Sequence, residues 1–459
     1  MRGKKEGILE DSKKVKRLKE KAMKTSIVEG STVSAGISMT SSFITPFALA
    51  IGANSFHIGL LSSLSGIAGP LGQFRGSKLM EKYSRKSLVV ISKSLSIFMW
   101  LTIIGLAYLS SRGLFGIYLP YVLILIYSVL IEFALGIGYV AWFSWMGDIV
   151  PQNIRGKYFA NRNRITGFFG LVFFLGSAFL LDFFKTKGYV LLGFSVLFFI
   201  GTVFRFSSRQ LITKIHNPRF KEKDGYYFSF LDFVKRYDNY GKFAFYQAAF
   251  YFAVMISSPF FAVYMLKDLG FSYTTFTFVA ISSTVFYLIF SSLAGRFSDK
   301  YGNVKLLYIS AVLFPLVPML WIFLKNPIAL IFFPGLISGV ANVAFVIGVT
   351  NFTYASVSPQ KRGLCLAYTS ILIGMGVLFG GLIGGILIQY LHITFMKPIL
   401  FAFLLSSLLM IIVSFFFLPK IEEWEKIEKM KGFCIDLHHP LRTVTSDFKW
   451  LRNFVYPRS

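Results

Sequence analysis

The ionisable side chain that lies deepest in an apolar stretch of this sequence is Glu132, midway along residues 119–145. A charged group in the middle of a membrane span costs roughly 3 kcal/mol, so such groups tend to mark functional sites. A carboxyl group that gains and loses a proton there can couple to a proton gradient, and the same group can bind a cation. The structural alternative is a protonated side chain that hydrogen-bonds a neighbouring helix. We favour the functional interpretation and take Glu132 as the candidate for proton coupling.

Five other ionisable residues lie nearer the ends of apolar stretches. Lys93, Asp182 and Arg205 can reach water at a helix end if their side chains extend towards the membrane surface. Glu29 and His57 lie at the edges of such stretches. We therefore expect all five to be interfacial groups without a functional role.

Polar loops in the two halves of the chain carry acidic and basic residues at matching positions. Glu81 can pair with Arg155 between adjacent helix ends, and Asp299 can pair with Arg362 in the same way. A surface ion pair contributes about 0 to 1 kcal/mol, which suits a contact that must form and break. The candidate gate residues are Glu81, Lys82, Arg85, Asp148, Arg155, Asp299, Lys300 and Arg362.

The composition indicates that membrane helices position these residues. The chain has 459 residues, of which 55% are hydrophobic, 15% are charged and 53 are Phe. Soluble domains contain about a quarter charged residues, so the surplus apolar surface here must face lipid. The alternation of apolar and polar residues that a membrane barrel requires is absent, so we predict helical spans.

Twelve stretches are long and apolar enough to cross a bilayer, which takes about 20 residues. We place them at residues 31–51, 56–74, 87–109, 119–145, 165–184, 189–206, 243–265, 274–293, 306–324, 327–349, 364–390 and 399–418. Glycines recur between residues 374 and 385 of the eleventh stretch, which predicts close packing of that helix.

The net charge of +27 follows largely from topology, because 42 of the 48 Lys and Arg residues fall on the membrane side that holds both termini. Positive charge is retained in the cytoplasm, so we expect both termini there, in a multi-pass protein of the plasma membrane. The same charge favours contact with anionic membrane lipid. Nucleic acid is not an expected partner, because a basic nucleic-acid-binding surface belongs to a polar domain.

An internal repeat relates the two halves. Residues 77–86 after the second span align with residues 295–304 after the eighth, and residues 148–156 after the fourth align with 356–363 after the tenth. Two six-helix halves of like orientation are therefore related by an axis along the membrane normal. The predicted fold class is an all-α membrane protein with twelve transmembrane helices in two pseudo-symmetric six-helix bundles.

The predicted domains follow from these spans. They are a basic cytoplasmic tail at 1–25, an N-terminal bundle at 26–206, a cytoplasmic central loop at 207–242, a C-terminal bundle at 243–419 and a cytoplasmic tail at 420–459. Part of the last tail has an apolar stripe at helical spacing, which is compatible with a helix on the membrane surface or with a solvated charged tail.

The repeated loops resemble the loop signature of the major facilitator superfamily, G-x-x-x-[DE]-[RK]-x-G-[RK]-[RK]. The second-half copy matches it at Gly295, Asp299, Lys300 and Gly302. The first-half copy matches it at Glu81, Lys82, Arg85 and Lys86, with serines where glycines are usual. The resemblance implies a secondary transporter that works by alternating access.

In that family the first, fourth, seventh and tenth helices line a central cavity, so the resemblance implies that polar residues on these helices face the solute. The candidates are Ser34, Ser38, Ser41, Tyr139, Trp142, Gln247, Tyr251 and Asn342. The three serines share one helical face, although hydroxyls in membrane helices more often bond to backbone or to neighbouring helices. No arginine is expected in this cavity, which argues against a phosphate ester as solute.

Other classes of function lack their motifs. The chain contains no G-x-x-x-x-G-K-[ST] motif for ATP, and its two cysteines and five histidines lack metal-ligand spacing, so no cofactor or metal is expected. We predict a monomeric secondary active transporter of a small solute and not an enzyme. The alternatives left open are an uncoupled facilitative permease and a solute sensor that does not transport.

Overall fold

The computed structural model describes residues 2–114, 116, 118–151, 154–217, 229–235, 238–357 and 359–423, and these residues are mostly helical. The helices are α1 Arg2–Met39, α2 Ile44–Ala50, α3 Ser55–Leu79, α4 Arg85–Ser111, α5 Tyr118–Ile149, α6 Arg155–Thr186, α7 Val190–Thr213, α8 Phe230–Lys235, α9 Asn239–Met255, α10 Phe260–Val263, α11 Tyr273–Tyr301, α12 Asn303–Phe323, α13 Pro327–Ser356, α14 Pro359–Tyr390 and α15 Pro398–Phe417. The apolar tail stripe that the sequence indicates near residue 427 lies outside the described residues.

Each of the twelve predicted spans corresponds to a helix or to a pair of consecutive helices. Within the described part of the chain, eleven helical segments are long and apolar enough to cross a membrane. The remaining predicted span is α3, which has 25 residues but is less apolar because it contains five glycines and five serines. Several helices continue past the predicted spans, since hydropathy marks the lipid-facing part of a helix and not its polar ends.

The first and seventh spans are broken, whereas the sequence predicted continuous helices. The chain leaves helical geometry at Thr40, after α1, and a short 3-10 turn precedes α2. The helix α9 ends at Met255, just before Pro259. A proline has no N–H to donate to the carbonyl four residues earlier, which is that of Met255 here and that of Ser42 for Pro46 in α2. Both bundles therefore begin with a discontinuous span.

The helices form two bundles, α1 to α7 and α9 to α15, which meet along α3 and α14. Glycines allow this close approach. A Cβ atom on Gly59 of α3 would lie 2.6 Å from the carbonyl oxygen of Gly381 and 2.9 Å from the Cα of Gly385. Gly376 and Gly380 face the backbone of α9 in the same way. The close packing predicted for the eleventh span is confirmed.

We call the end of the molecule at which α1 begins the terminal end, because the chain also leaves α15 there. At the opposite end, polar contacts join the two bundles. The carboxylate of Asp182 accepts hydrogen bonds from the backbone N–H groups of Tyr273 and Thr274, at 2.9 and 2.7 Å. Lys267 donates to the carbonyl oxygen of Ala53 at 2.6 Å. Asp182 therefore caps a helix of the other bundle and is not a free interfacial charge.

Candidate functional site

A buried arginine fixes the break in the first span. Arg205 on α7 is 5% exposed, and its Nε and Nη2 atoms donate to Thr40 Oγ1 at 3.0 and 2.7 Å. Its Nη2 atom also donates to Ser41 Oγ at 2.9 Å. The guanidinium carbon lies 5.3 Å from the centre of the Trp100 ring. Thr40 and Ser41 follow the end of α1, so Arg205 binds the chain where the helix is interrupted.

Glu132 lies on α5 within electrostatic reach of Arg205. It is partly buried and is the fifteenth of the 32 residues of the helix. Opposite charges attract far more strongly in a low-dielectric interior than in water. Protonation of Glu132 removes this attraction and leaves Arg205 bound to hydroxyl groups.

A cavity of about 420 Å³ lies beside Glu132, within the first bundle. Residues of α1, α3, α4, α5 and α6 line it, among them Gln73, Tyr139 and Trp142. Trp142 follows Glu132 by ten residues, which is about 15 Å along the helix. A cavity of this size accommodates a small organic solute, since ligand sites typically enclose about 300–1,000 Å³.

At the Trp142 end of the cavity, two cations surround one carboxylate. Lys93 donates to Glu29 Oε1 at 2.7 Å, and Ser208 donates to the same oxygen at 2.8 Å. The Nη2 atom of Arg162 lies 3.6 Å from Glu29 Oε2. The guanidinium carbon of Arg162 lies 4.6 Å from the centre of the Trp142 ring, a cation–π distance. We call Glu29, Lys93 and Arg162 the Glu29 cluster.

The expectation that Glu29, Lys93 and Arg205 are interfacial is wrong. Glu29 is 2% exposed and Lys93 is 16% exposed, and both face the interior of the first bundle. The prediction failed because it measured depth from the ends of the apolar stretches, whereas the helices extend further. Lys93 is the ninth residue of α4, which puts it about 12 Å from the helix start.

The expectation that the cavity holds no arginine is also wrong, since Arg162 lines it. Arg162 precedes the predicted fifth span by three residues, so hydropathy assigned it to a loop. It is the eighth residue of α6. Counting helical turns from Arg155, the loop residue of the internal repeat, would have placed Arg162 about two turns inside the helix.

The predicted hydroxyl face of α1 contributes to packing and to the arginine site. Ser34 and Ser38 lie against Gly170 of α6, where a Cβ atom would meet their Oγ atoms at 2.7 and 3.5 Å. Ser41 binds Arg205. These serines do not line the 420 Å³ cavity.

The candidates of the second bundle also lie outside this cavity. Gln247 is 2% exposed. The Tyr251 ring packs against Phe345, with ring centres 5.8 Å apart. Asn342 Nδ2 donates to the Ser338 carbonyl oxygen at 2.8 Å, within its own helix. Their contact with a solute stays a prediction.

The gate candidates are only partly described. Arg85 is 3% exposed and forms an ion pair with Asp148 at 2.7 Å. Glu81, Lys82 and Lys300 are exposed. The two pairs predicted from the repeat involve Arg155, Asp299 and Arg362, whose side chains lie outside the described part of the chain. Among the described gate candidates, the structure shows an ion pair that was not predicted from the repeat, between Arg85 and Asp148 at the terminal end.

In the described residues, no group of three or more His, Cys, Asp or Glu side chains is arranged to hold a metal ion. The site consists instead of a charged cavity inside a twelve-span helical protein with two related bundles.

Comparison with known proteins agrees with this architecture. The sequence model of the Major Facilitator Superfamily matches residues 243–455. No curated protein sequence matches the chain. A D-xylose-proton symporter has 15% sequence identity and a TM-score of 0.67, over 88% of this chain and 99% of the symporter.

Two further solved structures share the fold. The nucleoside transporter NupG has 15% identity and a TM-score of 0.63, over 88% of this chain and 99% of NupG. A bacterial homologue of the iron transporter ferroportin, in an inward-facing state, has 13% identity and a TM-score of 0.64, over 88% and 99% of the two chains. At such identities these likenesses show the fold alone.

The chain has the major facilitator superfamily fold, and its second bundle matches the sequence model of that family. The resemblance seen in the repeated loops is confirmed. The family and the fold point to a membrane transporter and not to an enzyme.

Proposed function

We propose that this chain is a secondary transporter that moves a small solute by alternating access, with proton coupling through Glu132. The observation that carries the proposal is the placement of Glu132 beside the cavity and within electrostatic reach of Arg205, which binds the broken first span. A proton on Glu132 removes its negative charge, so the electrostatic attraction between Glu132 of α5 and Arg205 of α7 weakens. The proton thereby changes the relative stability of two arrangements of α1, α5 and α7.

The contacts at the two ends of the molecule suit such a cycle. Asp182 and Lys267 join the bundles at the end opposite the termini. These contacts must break when that end opens. Each is a hydrogen bond to or from a charged group, which contributes about 1.5 to 3 kcal/mol net, so the contacts favour the closed form of that end until water replaces their partners. Arg85 and Asp148 order the terminal end of the first bundle.

The orientation follows from the distribution of Lys and Arg, which supports cytoplasmic termini in a plasma-membrane protein. The terminal end with Arg85 and Asp148 is then the cytoplasmic side. The solute classes named for the structures of similar fold, a nucleoside, a pentose and iron, are those proteins' own.

The test is transport by purified protein in liposomes, with a solute found by thermal-shift screening. The wild-type protein is expected to accumulate solute when a pH gradient is applied. Glu132→Gln keeps the size of the side chain and removes its titration. We expect this variant to retain solute exchange at equilibrium and to lose accumulation driven by the pH gradient.

The matched control is Glu20→Gln, which makes the same chemical change at an exposed position on α1. It is expected to accumulate solute as the wild type does. Unchanged accumulation by Glu132→Gln would contradict the coupling role. Exchange without proton movement in the wild type would indicate a facilitative permease, and binding without exchange would indicate a sensor.

A further inference from the structure

The charges in and beside the cavity are not balanced, although Arg205 itself lies outside the cavity wall. Lys93 and Arg162 share one carboxylate, that of Glu29, while Arg205 and Glu132 provide one charge of each sign. These five groups together carry a charge of +1 when all are ionised. Burial of an uncompensated charge is costly, so the bundle favours a bound anion near the Glu29 cluster.

All three side chains of the cluster line the cavity, and the two cations are more exposed than the carboxylate. The Glu29 side chain is 2% exposed, whereas those of Arg162 and Lys93 are 12% and 16% exposed. A solute that enters the cavity therefore meets more of the ammonium and guanidinium groups than of the carboxylate. The 3.6 Å separation between Arg162 Nη2 and Glu29 Oε2 exceeds a good hydrogen bond. The guanidinium group thus retains donor capacity for another acceptor.

The side chain of Trp142 provides a second, independent observation, a hydrogen-bond donor without an acceptor in the described part of the chain. The buried indole N–H of Trp142 has no hydrogen-bond partner among the described residues. An indole N–H can donate but cannot accept. Trp142 lines the cavity and stacks on Arg162. At this end of the cavity, Arg162 and Lys93 therefore offer donors to a ligand, and Trp142 adds a buried indole N–H that has no partner among the described residues.

Apart from the Glu29 cluster, Gln73, Ser92 and Glu132, the side chains of the cavity wall are apolar or aromatic. They include Val33 and Ile37 of α1 and Leu135 and Tyr139 of α5. Such a wall favours an organic body and disfavours a compact hydrated ion. An excess of one positive charge favours a monoanion over a doubly charged phosphate ester.

We propose that the cavity binds an organic monoanion, whose carboxylate pairs with Arg162 and Lys93 and whose apolar or aromatic body lies against Trp142, Tyr139 and Leu135. The inference rests on the proposed function, since it names the solute class of the same transporter.

The first test needs no variant. Isothermal titration calorimetry on the full-length protein in neutral detergent compares 2-naphthoate, 2-naphthamide and 2-naphthylmethylamine, which share one aromatic body. We expect the carboxylate to bind at least about tenfold more tightly than the amide, as loss of an ion-paired contact worth about 1.4 kcal/mol predicts, and the amine to bind more weakly than the amide. Equal affinity for the carboxylate and the amide, or tighter binding of the amine, would overturn the proposal.

The second test changes the charges of the cluster. Arg162→Gln is expected to weaken 2-naphthoate binding about tenfold, while Arg164→Gln, an exposed control on the same helix, leaves it unchanged. Glu29→Gln removes the internal competitor for both cations, so 2-naphthoate should bind more tightly. A purely structural role for the cluster predicts weaker binding in both cluster variants, and that result would refute the inference.

The combined results of the binding and transport experiments distinguish this inference from the proposed function. They also distinguish a solute site from a lipid site. Charge-selective binding of 2-naphthoate without proton-driven uptake would sustain the monoanion site and reject proton coupling. Proton-driven uptake of an uncharged solute, without preference for 2-naphthoate, would support proton coupling and reject the monoanion site. Tighter binding of dihexanoyl phosphatidylglycerol than of 2-naphthoate, with the same dependence on Arg162, would assign the site to a lipid headgroup and overturn the solute proposal.

Discussion

The two bundles repeat one architecture with different chemistry at the equivalent break. In the first bundle, Arg205 of the sixth span donates to Thr40 at the break in the first span. In the second bundle, Ser406 of the twelfth span is hydrogen-bonded at 2.9 Å to Ser257, beside the break in the seventh span. The same structural task is thus performed by a buried charge in one bundle and by neutral hydroxyls in the other.

The same contrast appears at the terminal end. Arg85 forms an ion pair with Asp148 in the first bundle. The repeat aligns Arg85 with Asn303, which accepts a hydrogen bond from Ser298 at 2.6 Å. Asn351 also donates to Ser298, at 3.0 Å. A charged contact in the first bundle corresponds to a neutral network in the second.

The comparison indicates that the two halves share one helical architecture but differ in their buried charged side chains, which are concentrated in the first half. In the described part of the chain, the fully buried charged side chains are Glu29, Arg85 and Arg205, all in the first bundle. Both bundles bury aromatic side chains, such as Trp100 in the first and Phe250 in the second. The buried charges of the described residues therefore lie in the bundle that also holds Glu132 and the cavity.

The largest expected effect is that of Arg205→Met. It leaves Glu132 without its cation and Thr40 without its donor, so we expect a loss of at least about 3 kcal/mol in the free energy of unfolding. Ser406→Ala removes two neutral hydrogen bonds, with Ser257 and with the carbonyl oxygen of Ala253, and should cost about 1 to 2 kcal/mol. Unfolding of both variants in detergent, with matched thermal scans, measures the difference. Equal losses would contradict the contrast between the bundles.

A smaller effect concerns helix packing. Gly376 of α14 lies directly against the backbone carbonyl of Ala248, so a methyl group there forces the helices apart. Gly376→Ala is expected to destabilise the protein by about 2 kcal/mol. Gly167 of α6 has open space around it, and Gly167→Ala should stabilise the helix by up to about 1 kcal/mol. Thermal unfolding of the two variants checks the opposite signs.

The smallest effect is expected from the exposed ion pair of the second bundle. Lys397 Nζ lies 2.8 Å from Asp268, and its side chain is 60% exposed. We expect Lys397→Met to cost about 0.5 kcal/mol, because solvent screens the pair. A loss of several kcal/mol would show that the second bundle also depends on a charged contact.

The pH dependence of this pair has a definite sign. The hydrogen bond from Lys397 to Asp268, followed by the charge of Asp268, raises the pKa of Lys397 above its ordinary value of 10.5. The contribution is therefore fully present below pH 10.5 and is lost as the pH rises through the raised pKa. Unfolding of wild type and Lys397→Met should differ by the same small amount at any neutral pH.

Much of the fold could be predicted from local sequence, but the breaks and the charge pairs could not. The spans were predictable because about 20 consecutive apolar residues have few alternatives to crossing lipid. The hydrogen bonds at the break near Thr40 were not, since they come from Arg205 of another helix. The signals near the breaks were Pro46 and Pro259, which a reading for hydropathy alone passes over.

Part of the candidate site follows from single helices. Glu132, Tyr139 and Trp142, which the sequence indicates as site candidates, line the cavity, and their depth along the fourth span is a property of one helix. Their roles in transport stay predictions. The Glu29 cluster was missed, since Lys93 and Glu29 are 64 residues apart. Their pairing depends on how α1 and α4 lie against each other.

The sequence by itself determined that this chain crosses the membrane many times, that its halves are duplicates and that an acidic residue lies deep in the fourth span. These properties are sums over neighbouring residues, because the free energy of moving a segment into lipid does not depend on its partners. Tertiary structure alone decided which charges meet, which helices break and where the cavity lies. Those properties depend on distances between side chains that are remote in the sequence, and only the packing of helices sets such distances.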